Sequence, residues 1–207
     1  MKNVDLSRAT LGRIPSYLKY LRELPADRKN ISATVIAKDL GLGEVQVRKD
    51  LGALCGSGKP RVGYVTEQLT SSLEECVSRD FGGAVIIGAG KLGRALLDYG
   101  GFSDYGLDIL AAFDKKNTEA ESSPNGRPIL PVESFAEFCR QNTVNIGIIA
   151  VTADAAQEVF DLMYECGIRA MLCFAPCKLV IPGDAVIRYE NMALSLAHLK
   201  MQIKNNT

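Results

Sequence analysis

The stretch Ala84-Val85-Ile86-Ile87-Gly88-Ala89-Gly90-Lys91-Leu92-Gly93 decides the fold of this 207-residue chain. Ala84–Ile87 is a short apolar run rich in β-branched residues, which is typical of a buried parallel strand. The run leads directly into the pattern G-x-G-x-x-G, and a helix-like segment, Leu92–Tyr99, follows. Strand, glycine-rich turn and helix in this order predict a βα unit that binds a dinucleotide.

Each glycine of this turn has a predicted role in a Rossmann-type site. Gly88 permits the tight turn, Gly90 lets the backbone approach a pyrophosphate, and Gly93 lets the helix pack closely on the strand. Free N–H groups at the helix start would face the phosphates. The predicted cofactor contacts of the turn are Gly88, Ala89, Gly90, Lys91, Leu92 and Gly93.

An acidic residue follows at the distance that a ribose contact requires. Asp114 ends a strand-like run, Leu107–Phe113, and lies 21 residues after Gly93. A carboxylate there accepts from the adenosine ribose hydroxyls and repels a 2′-phosphate, so NAD(H) is favoured over NADP(H). Lys115 and Lys116 weaken this preference. Two alternatives stay open: a glycine-rich turn that binds nothing, or one that binds another nucleotide such as coenzyme A.

Composition places the chain among globular proteins of one ordinary or two small domains. No apolar run approaches the roughly 18 residues of a membrane span. The start of the chain, Met1–Asp5, has no apolar signal core, so we expect a cytoplasmic protein without a membrane partner. The cysteines lack C-x-x-C spacing and are expected to be reduced, mostly buried thiols rather than a disulfide framework or a metal site. Thiol-based redox sensing is the alternative for Cys55, Cys76, Cys139, Cys166, Cys173 and Cys177.

The net charge of zero hides an asymmetry. The chain has 24 basic and 24 acidic residues, and twelve of the basic but only six of the acidic ones fall in Met1–Tyr64. A basic head on an acidic body is typical of a nucleic-acid-binding domain attached to another domain. A basic surface without such a partner is the alternative.

The head shows three predicted helices. The first is amphipathic and ends at Pro25, and Pro15 requires that its regular part either begins near that proline or bends there. Ser32 is a predicted N-cap for a second helix, Ala33–Leu40. A glycine-containing turn then leads to a third helix, Glu44–Leu54, and this pair predicts a helix-turn-helix. The apolar positions of the first helix are Leu11, Ile14, Leu18 and Leu21.

The third helix has a basic face, and a possible hairpin follows it. Val47, Leu51 and Leu54 would pack inward, which leaves the opposite side for phosphates and base edges. The segment Gly56–Tyr64 alternates glycine with basic residues and could form a β-hairpin wing against the minor groove or backbone. A solvated charged face is the alternative for the helix. The predicted DNA contacts are Ser32, Gln46, Arg48, Lys49, Lys59 and Arg61.

Beyond the head, strands alternate with helices and predict a doubly wound parallel sheet. Ligands bind outside the carboxyl ends of such strands, where Thr152 and Phe174–Pro176 emerge. The further predicted segments are a helix at Val65–Ser78, a surface loop at Asn117–Gly126, a helix at Val132–Asn142, a strand at Ile146–Val151, a helix at Ala155–Cys166 and a strand at Ala170–Phe174.

The tail Met192–Ile203 is predicted to be helical and is apolar on more than one face. It is either a central core helix or a helix that buries a second face in a partner subunit, and the second interpretation is favoured because a terminal helix has few neighbours in its own chain. His198 lies in this tail and is expected to be a packed or surface residue. No catalytic residue is predicted.

Three motifs together resemble the Rex family of bacterial redox-sensing transcriptional repressors: Gln46–Leu51, Gly58–Tyr64, and Gly88–Gly93 with Asp114. The resemblance extends over nearly the whole chain and includes Arg13–Leu18, Gly167–Ala170 and Phe174–Pro176. It implies a homodimer with swapped C-terminal helices, winged helices that bind a palindromic operator, and Rossmann domains that sense the NADH/NAD⁺ ratio. NADH would release the dimer from DNA.

The resemblance also implies a division of the chain and further site residues. The DNA-binding domain would span 1–80, the NAD(H)-binding domain 81–190, and the dimerisation helix 191–207. Tyr99 matches a family tyrosine near the nicotinamide, and Arg13 and Lys19 fall where the first helix meets the Rossmann domain. The remaining cofactor contacts would be Val151, Thr152, Phe174, Ala175 and Pro176.

Two departures from the family pattern predict altered or weakened NADH sensing. Thr152 stands where the family usually has proline, beside the cofactor. Asn191 stands near a usual aspartate whose charge couples the cofactor state to the first helix, and a neutral amide cannot form that ion pair.

The sequence therefore favours a non-enzymatic, NAD(H)-responsive repressor over two alternatives. A small NAD-dependent dehydrogenase needs a general acid or base beside the nicotinamide, and no tyrosine is followed four residues later by lysine. A binding module for a nucleotide of the coenzyme A type is the other alternative.

Overall fold

The computed structural model describes residues 7–77, 82–117 and 119–205. These residues form two compact units. The first contains residues 7–77 together with the segment Ser103–Gly106, and the second contains the other described residues. The predicted end of a helix at Ser78 and the predicted boundary between residues 80 and 81 lie outside the described ranges.

Four helices and a two-stranded sheet build the first unit around one core. Buried aromatic and aliphatic side chains, among them Tyr17, Ile36 and Leu51, fill the space between the helices. Strands β1 and β2 pair antiparallel and place the segment before α2 beside the segment before α4. The elements are α1 (Arg8–Arg22), β1 (Asn30–Ile31), α2 (Ala33–Asp39), α3 (Glu44–Cys55), β2 (Tyr64–Val65) and α4 (Thr66–Val77).

Helix α1 continues through its proline. Because the helix begins at Arg8, the interpretation that its regular part begins near Pro15 is wrong. The Ser7 hydroxyl accepts the N–H of Thr10 at 3.1 Å and so caps the helix a full two turns before the proline. Leu11, predicted to face the core, is half exposed, because the apolar contacts of α1 start one turn later at Ile14.

The helix-turn-helix has the predicted local chemistry. The Ser32 hydroxyl accepts the N–H of Val35 at 3.2 Å, which confirms Ser32 as the N-cap of α2. Gly41 adopts the left-handed conformation, with φ of +65°, that the turn between α2 and α3 requires. Val47 and Leu51 are fully buried on the inner face of α3, as predicted.

The predicted wing is a tight turn rather than a hairpin of extended strands. Lys59 and Gly63 form one antiparallel bridge, and each donates its N–H to the carbonyl of the other at 2.8 Å. Arg61, between them, has a positive φ of 63°. The glycine-rich segment is short, so the wing presents its basic residues on a single closed loop.

The second unit is a seven-stranded sheet with helices on its faces. Its strand order is β5-β6-β4-β3-β7-β8-β9, and every pairing is parallel except that of β5 with β6. The strands are β3 (Gly83–Ile87), β4 (Ile109–Asp114), β5 (Glu121–Ser122), β6 (Pro128–Pro131), β7 (Val144–Ile149), β8 (Ala170–Cys173) and β9 (Val186–Tyr189); the helices packed among them are α5 (Lys91–Leu97), α6 (Phe135–Gln141) and α7 (Ala156–Glu165).

Counted from β3, the six parallel strands lie in the order 3-2-1-4-5-6. This is the order of dinucleotide-binding doubly wound sheets, in which the ligand lies where the strand order reverses. Here the reversal falls between β3 and β7. The glycine-rich turn after β3 therefore lies at the position in the sheet that such a ligand occupies.

Several predicted segments differ from the structure. The predicted loop Asn117–Gly126 contains β5, and its Ser123 is buried. The sequence patterns did not reveal β6 or β9. The predicted helix Val132–Asn142 starts with a 3-10 turn, and α6 itself begins at Phe135. Strand β7 ends at Ile149, so Val151 follows the strand instead of closing it.

The tail forms α8 (Met192–Asn205), as predicted. Its apolar side chains are exposed in the single chain, so the interpretation as a central core helix is wrong. Within the described residues, no helix has the length and apolar content needed to span a membrane. The exposed apolar residues of α8 are Met192, Leu194, Leu196, Leu199, Met201 and Ile203.

Candidate functional site

The glycine-rich turn excludes side chains at two positions and leaves a third open. Gly88 has a φ of +106°, and a Cβ there would collide with the carbonyl of Ala150 at the end of β7. A Cβ on Gly93 would collide with the carbonyl of Gly88. Gly90 has no neighbour that a Cβ would touch, and it is exposed. The turn is closely packed underneath and open above Gly90, where a phosphate would approach.

Helix α5 begins immediately after this open position. Its N-cap is Gly90, which supplies no side-chain acceptor for the first N–H groups of the helix. Such groups hydrogen bond to water or to a ligand. Lys91 is exposed, whereas Leu92 is half-buried.

Asp114 holds the glycine-rich turn in addition to its predicted ribose contact. It is the last residue of β4, next to β3 in the sheet. Its Oδ2 accepts the N–H of Ala89 at 2.7 Å, and its Oδ1 accepts the N–H of Lys116 at 2.9 Å. Each carboxylate oxygen has a second lone pair for another donor. The spacing from Gly93 located Asp114, but no signal in the sequence indicated its bond to the turn.

A second contact ties the same turn to the sheet edge. The Nε of Arg94 donates to the carbonyl of Ala89 at 2.9 Å, while its Nη atoms donate to Glu121 on β5 at 3.0 and 3.3 Å. The hydrogen bond from Arg94 lowers the pKa of Glu121. Lys115, one of the two lysines that weaken the preference for NAD(H), pairs with Glu158 on α7 at 2.9 Å.

The other predicted cofactor contacts follow the neighbouring strands. Val151 and Thr152 follow β7 after one intervening residue, Ala150, and the Val151 side chain lies close to Gly88. The segment Phe174–Pro176 follows β8, and the Phe174 N–H donates to the Ile149 carbonyl at 3.0 Å. Both groups therefore lie at the carboxyl edge of the sheet together with the glycine-rich turn. Tyr99 lies after α5, more than half exposed, with its ring edge-on to Phe102.

In the first unit, basic residues of α3 and the wing face one groove. Arg48, Lys59 and Arg61 line a cavity of about 460 Å³ together with Ser32. Arg48 also pairs with Glu44 one turn earlier on α3. Gln46 and Lys49 are exposed on the same helix but do not line this groove. The Ser32 hydroxyl oxygen accepts the Val35 N–H to cap α2, and its own O–H can still donate into the groove.

A buried carboxylate joins α1 to α3, and no sequence pattern indicated it. Asp50 accepts from Thr10 Oγ1 at 3.1 Å, from Arg13 Nε and Nη2 at 2.7 and 3.0 Å, and from Tyr17 Oη at 2.7 Å. Burial alone would raise the pKa of Asp50, but the hydrogen bonds from these three side chains outweigh it and hold the pKa below its ordinary value. Burial and the bond to Asp50 raise the pKa of Tyr17 to about 12.

Of the residues expected to couple the domains, Arg13 is engaged by Asp50 within the first unit. The Nζ of Lys19 lies 5.5 Å from the centre of the Tyr105 ring. Tyr105 belongs to the segment Ser103–Gly106, and Arg22 donates to the carbonyl of Asp104 in that segment at 3.1 Å. Helix α1 thus contacts a piece of chain that comes from between α5 and β4.

The third such residue, Asn191, caps α8. Its side-chain oxygen accepts the N–H of Leu194 at 3.0 Å, as N-cap residues do. His198, expected to be either packed or on the surface, is exposed on α8. Among the residues that the structure describes, no three His, Cys, Asp or Glu side chains cluster as a metal site would require.

A helix-turn-helix unit with a basic groove, joined to a Rossmann-type unit with an open glycine-rich turn, defines the class of DNA-binding regulators that respond to a nucleotide. Two family models match the chain: "Putative DNA-binding protein N-terminus" over residues 5–52 and "CoA binding domain" over residues 82–177.

Curated relatives match over the full length. The chain is 35% identical to the redox-sensing transcriptional repressor Rex of Carboxydothermus hydrogenoformans, with 100% of both chains covered, and 34% identical to that of Desulforamulus reducens, with 98% of both covered. The chain belongs to the Rex family of redox-sensing transcriptional repressors.

Solved structures of the repressor RSP are also similar to this chain. RSP in complex with beta-NAD⁺ and operator DNA is 30% identical, with a TM-score of 0.83, 97% of this chain covered and 94% of that chain. RSP in complex with beta-NADH is 28% identical, with a TM-score of 0.77, 98% of this chain covered and 96% of that chain.

Proposed function

We propose that the chain binds operator DNA as a homodimer in the cytoplasm, is released from it by NADH, and catalyses no reaction. The supporting observation is the likeness, over both units, to a repressor solved with NAD⁺ and operator DNA and again with NADH. The basic groove and the open glycine-rich turn are the two features that this activity needs. Each lies in a different unit of the chain.

The proposal assigns residues 1–80 to DNA, 81–190 to NAD(H) and 191–207 to the dimer contact. Polar and basic residues of the helix-turn-helix and the wing would contact phosphates and base edges: Ser32, Gln46, Arg48, Lys49, Lys59 and Arg61. The dinucleotide would contact the carboxyl edge of the sheet at Gly88–Gly93, Tyr99, Asp114, Val151, Thr152 and Phe174–Pro176.

Release by NADH requires that the dimer conformations bind the two redox forms with different affinity. The oxidised nicotinamide bears a positive charge that the reduced ring lacks, so only contacts at the ring can distinguish them. A coupling of about 1–3 kcal/mol, typical of allosteric proteins, would change DNA affinity about 5- to 150-fold. Arg13, Lys19 and Asn191 are the proposed coupling residues.

The test is a DNA-binding titration with each redox form. A palindromic duplex is first selected from a random pool by the ligand-free protein, and its affinity is then measured by fluorescence anisotropy as NAD⁺ or NADH is added. We expect NADH to weaken binding about 5-fold or more and NAD⁺ to leave it largely unchanged. Equal affinity in both titrations would refute the proposed sensing.

A matched pair of charge deletions tests the DNA face. Lys49→Ala removes a cation from the exposed side of α3 and is expected to weaken duplex binding and flatten its salt dependence. Lys178→Ala removes an equally exposed cation from the second unit and should leave both unchanged. If the two variants behave alike, the DNA face is wrongly placed.

The family model named for coenzyme A supports one competing ligand. Calorimetry with NADH, NADPH and coenzyme A separates the candidates. Because Asp114 would repel a 2′-phosphate, NADH should bind most tightly. Tighter binding of coenzyme A would replace the proposed ligand, and equal binding of NADPH would remove the ribose role of Asp114.

A further inference from the structure

Two cysteines line one cavity between α6 and α7 in the second unit. Cys139 lies on α6, and Cys166 is the C-cap of α7. Both are partly buried against the sheet core and border a cavity of about 360 Å³ together with Arg140 and Glu165. A small oxidant can therefore reach the pair from the solvent side.

Each of the two thiols affects the ionisation of the other. Burial raises the pKa of Cys139 to about 12, and the charge of Cys166 and a hydrogen bond to it act in the same direction. Burial also raises the pKa of Cys166 above its ordinary value; the hydrogen bond with Cys139 opposes the rise, the charge of Glu165 adds to it, and the charge of Arg140 opposes it. Cys166 is therefore the thiol of the pair that loses its proton first.

The other four cysteines lack this combination. Cys173 is fully buried, so its neighbour Cys177 has no partner that an oxidant reaches. Cys55 and Cys76 are both partly exposed, but the cavity that Cys55 borders is not lined by Cys76. Among the described cysteines, Cys139 and Cys166 are the two that are both partly exposed and border the same cavity.

We propose that Cys139 and Cys166 are a dithiol that a hydroperoxide converts to an intramolecular disulfide. The Cys166 thiolate attacks the hydroperoxide; the O–O bond breaks, the leaving alkoxide takes a proton to become an alcohol or water, and Cys166 becomes a sulfenic acid. The Cys139 sulfur then attacks the Cys166 sulfur; the S–S bond forms, the S–O bond breaks, and hydroxide leaves as water with the Cys139 proton.

The disulfide would join the two ends of the chain segment that runs from Cys139 to Cys166. The cysteines are 27 positions apart, and the chain between them contains β7 with Val151 and Thr152 at its end. Cross-linking a loop of this length restricts the unfolded chain, so the oxidised protein should melt about 5–10 °C higher than the reduced one. Dithiothreitol should reverse the shift.

The test exposes the full chain to hydrogen peroxide and maps the cysteines by mass spectrometry. We expect one bridged peptide pair, Cys139 with Cys166, and a mass about 2 Da lower because two hydrogens are lost. Cys55→Ser, the control, should still form the bridge. Cys139→Ser should trap Cys166 as a sulfenic acid that dimedone labels, whereas Cys166→Ser should leave Cys139 unlabelled.

Three results would overturn the proposal. One is that both thiols stay reduced in the folded protein under peroxide conditions that oxidise them in urea. Another is that the mapped bridge joins a different pair. The last is that dimedone labels Cys139 in Cys166→Ser and not Cys166 in Cys139→Ser. None of these results depends on DNA or nucleotide binding, so they test the Cys139–Cys166 dithiol independently of the proposed function.

Discussion

Asp50 shows how much a single side chain contributes to the DNA-binding unit. Its carboxylate is 3% exposed and accepts hydrogen bonds from three residues of α1. Asp50 lies on α3, the helix that also carries Arg48 and Lys49. These hydrogen bonds therefore fix the position of α3 against α1. A buried charge is tolerated only when it is paired and hydrogen bonded, and Asp50 meets both conditions.

Replacing this carboxylate should destabilise the first unit. Asp50→Ala leaves the Arg13 guanidinium without its anion and the Tyr17 hydroxyl without its acceptor, so we expect a loss of about 2–4 kcal/mol of unfolding free energy. Urea unfolding followed by circular dichroism measures it. Asp39→Ala, whose carboxylate accepts only an exposed bond from Tyr20, is the control and should cost well under 1 kcal/mol. Equal losses would contradict the assigned role.

The same carboxylate predicts a pH dependence. The folded pKa of Asp50 lies below its unfolded value, so its contribution to stability is present above the unfolded pKa of about 3.9 and is lost as the pH falls through the folded pKa. Unfolding free energy should therefore drop below about pH 4 in the wild type. Asp50→Asn should show a flatter acid limb, and an identical acid limb in both proteins would refute the prediction.

The positions of single functional residues could be predicted from the sequence better than the hydrogen-bond partners of those residues. Asp114 was found by counting from Gly93, yet its bond to Ala89 depends on β3 and β4 lying side by side. The Asp50 cluster joins residues that are 33 to 40 positions apart, and no local pattern records such a contact.

Among the elements, those with strong local signals were predicted. The run into β3, the glycine-rich turn and α5 have a clear pattern, and Ser32 starts α2 as predicted. Strand β6 was missed because it is bounded by Pro128 and Pro131, and prolines argue against a strand. Strand β9 was missed because it is a mostly exposed edge of four residues without a buried apolar run. Both segments are strands because they pair with neighbouring strands of the sheet, and their local sequence does not reveal this pairing.

Substitutions of Asn191, the residue that caps α8, test the predicted change in NADH sensing. Asn191→Asp should keep α8 capped, because aspartate and asparagine cap equally well, so melting should not change. It introduces the charge that the resemblance to the family implies at this position, and we expect a larger NADH effect on DNA affinity in the anisotropy titration. Asn191→Ala removes the cap and should cost about 1 kcal/mol. An unchanged NADH effect in Asn191→Asp would show that this charge does not couple the sites here.

At the scale of the whole molecule, α8 is a surface that a single chain leaves uncovered. Six large apolar side chains of α8 are each more than half exposed. Exposed apolar patches of this kind mark protein contacts. The sequence predicts a homodimer with a contact through this helix, and the exposed apolar side chains of α8 are consistent with that prediction.

A charge placed on this surface should separate the subunits. Leu199→Glu puts a carboxylate where a partner would bury an apolar side chain, and we expect a shift from dimer to monomer in sedimentation velocity. Lys200→Glu, one residue on and already polar, should remain dimeric. If Leu199→Glu sediments as the wild type does, the dimer contact lies elsewhere.

The bond between Asp114 and the N–H of Ala89 has a thermodynamic consequence for ligand capture. The loop that would receive a pyrophosphate is already anchored by its own chain at Ala89, whose N–H donates to this carboxylate and whose carbonyl accepts from Arg94. An incoming dinucleotide would meet a preformed cradle and would lose little affinity to the entropy of ordering it. Its association should accordingly be fast and limited by encounter rather than by rearrangement of the loop.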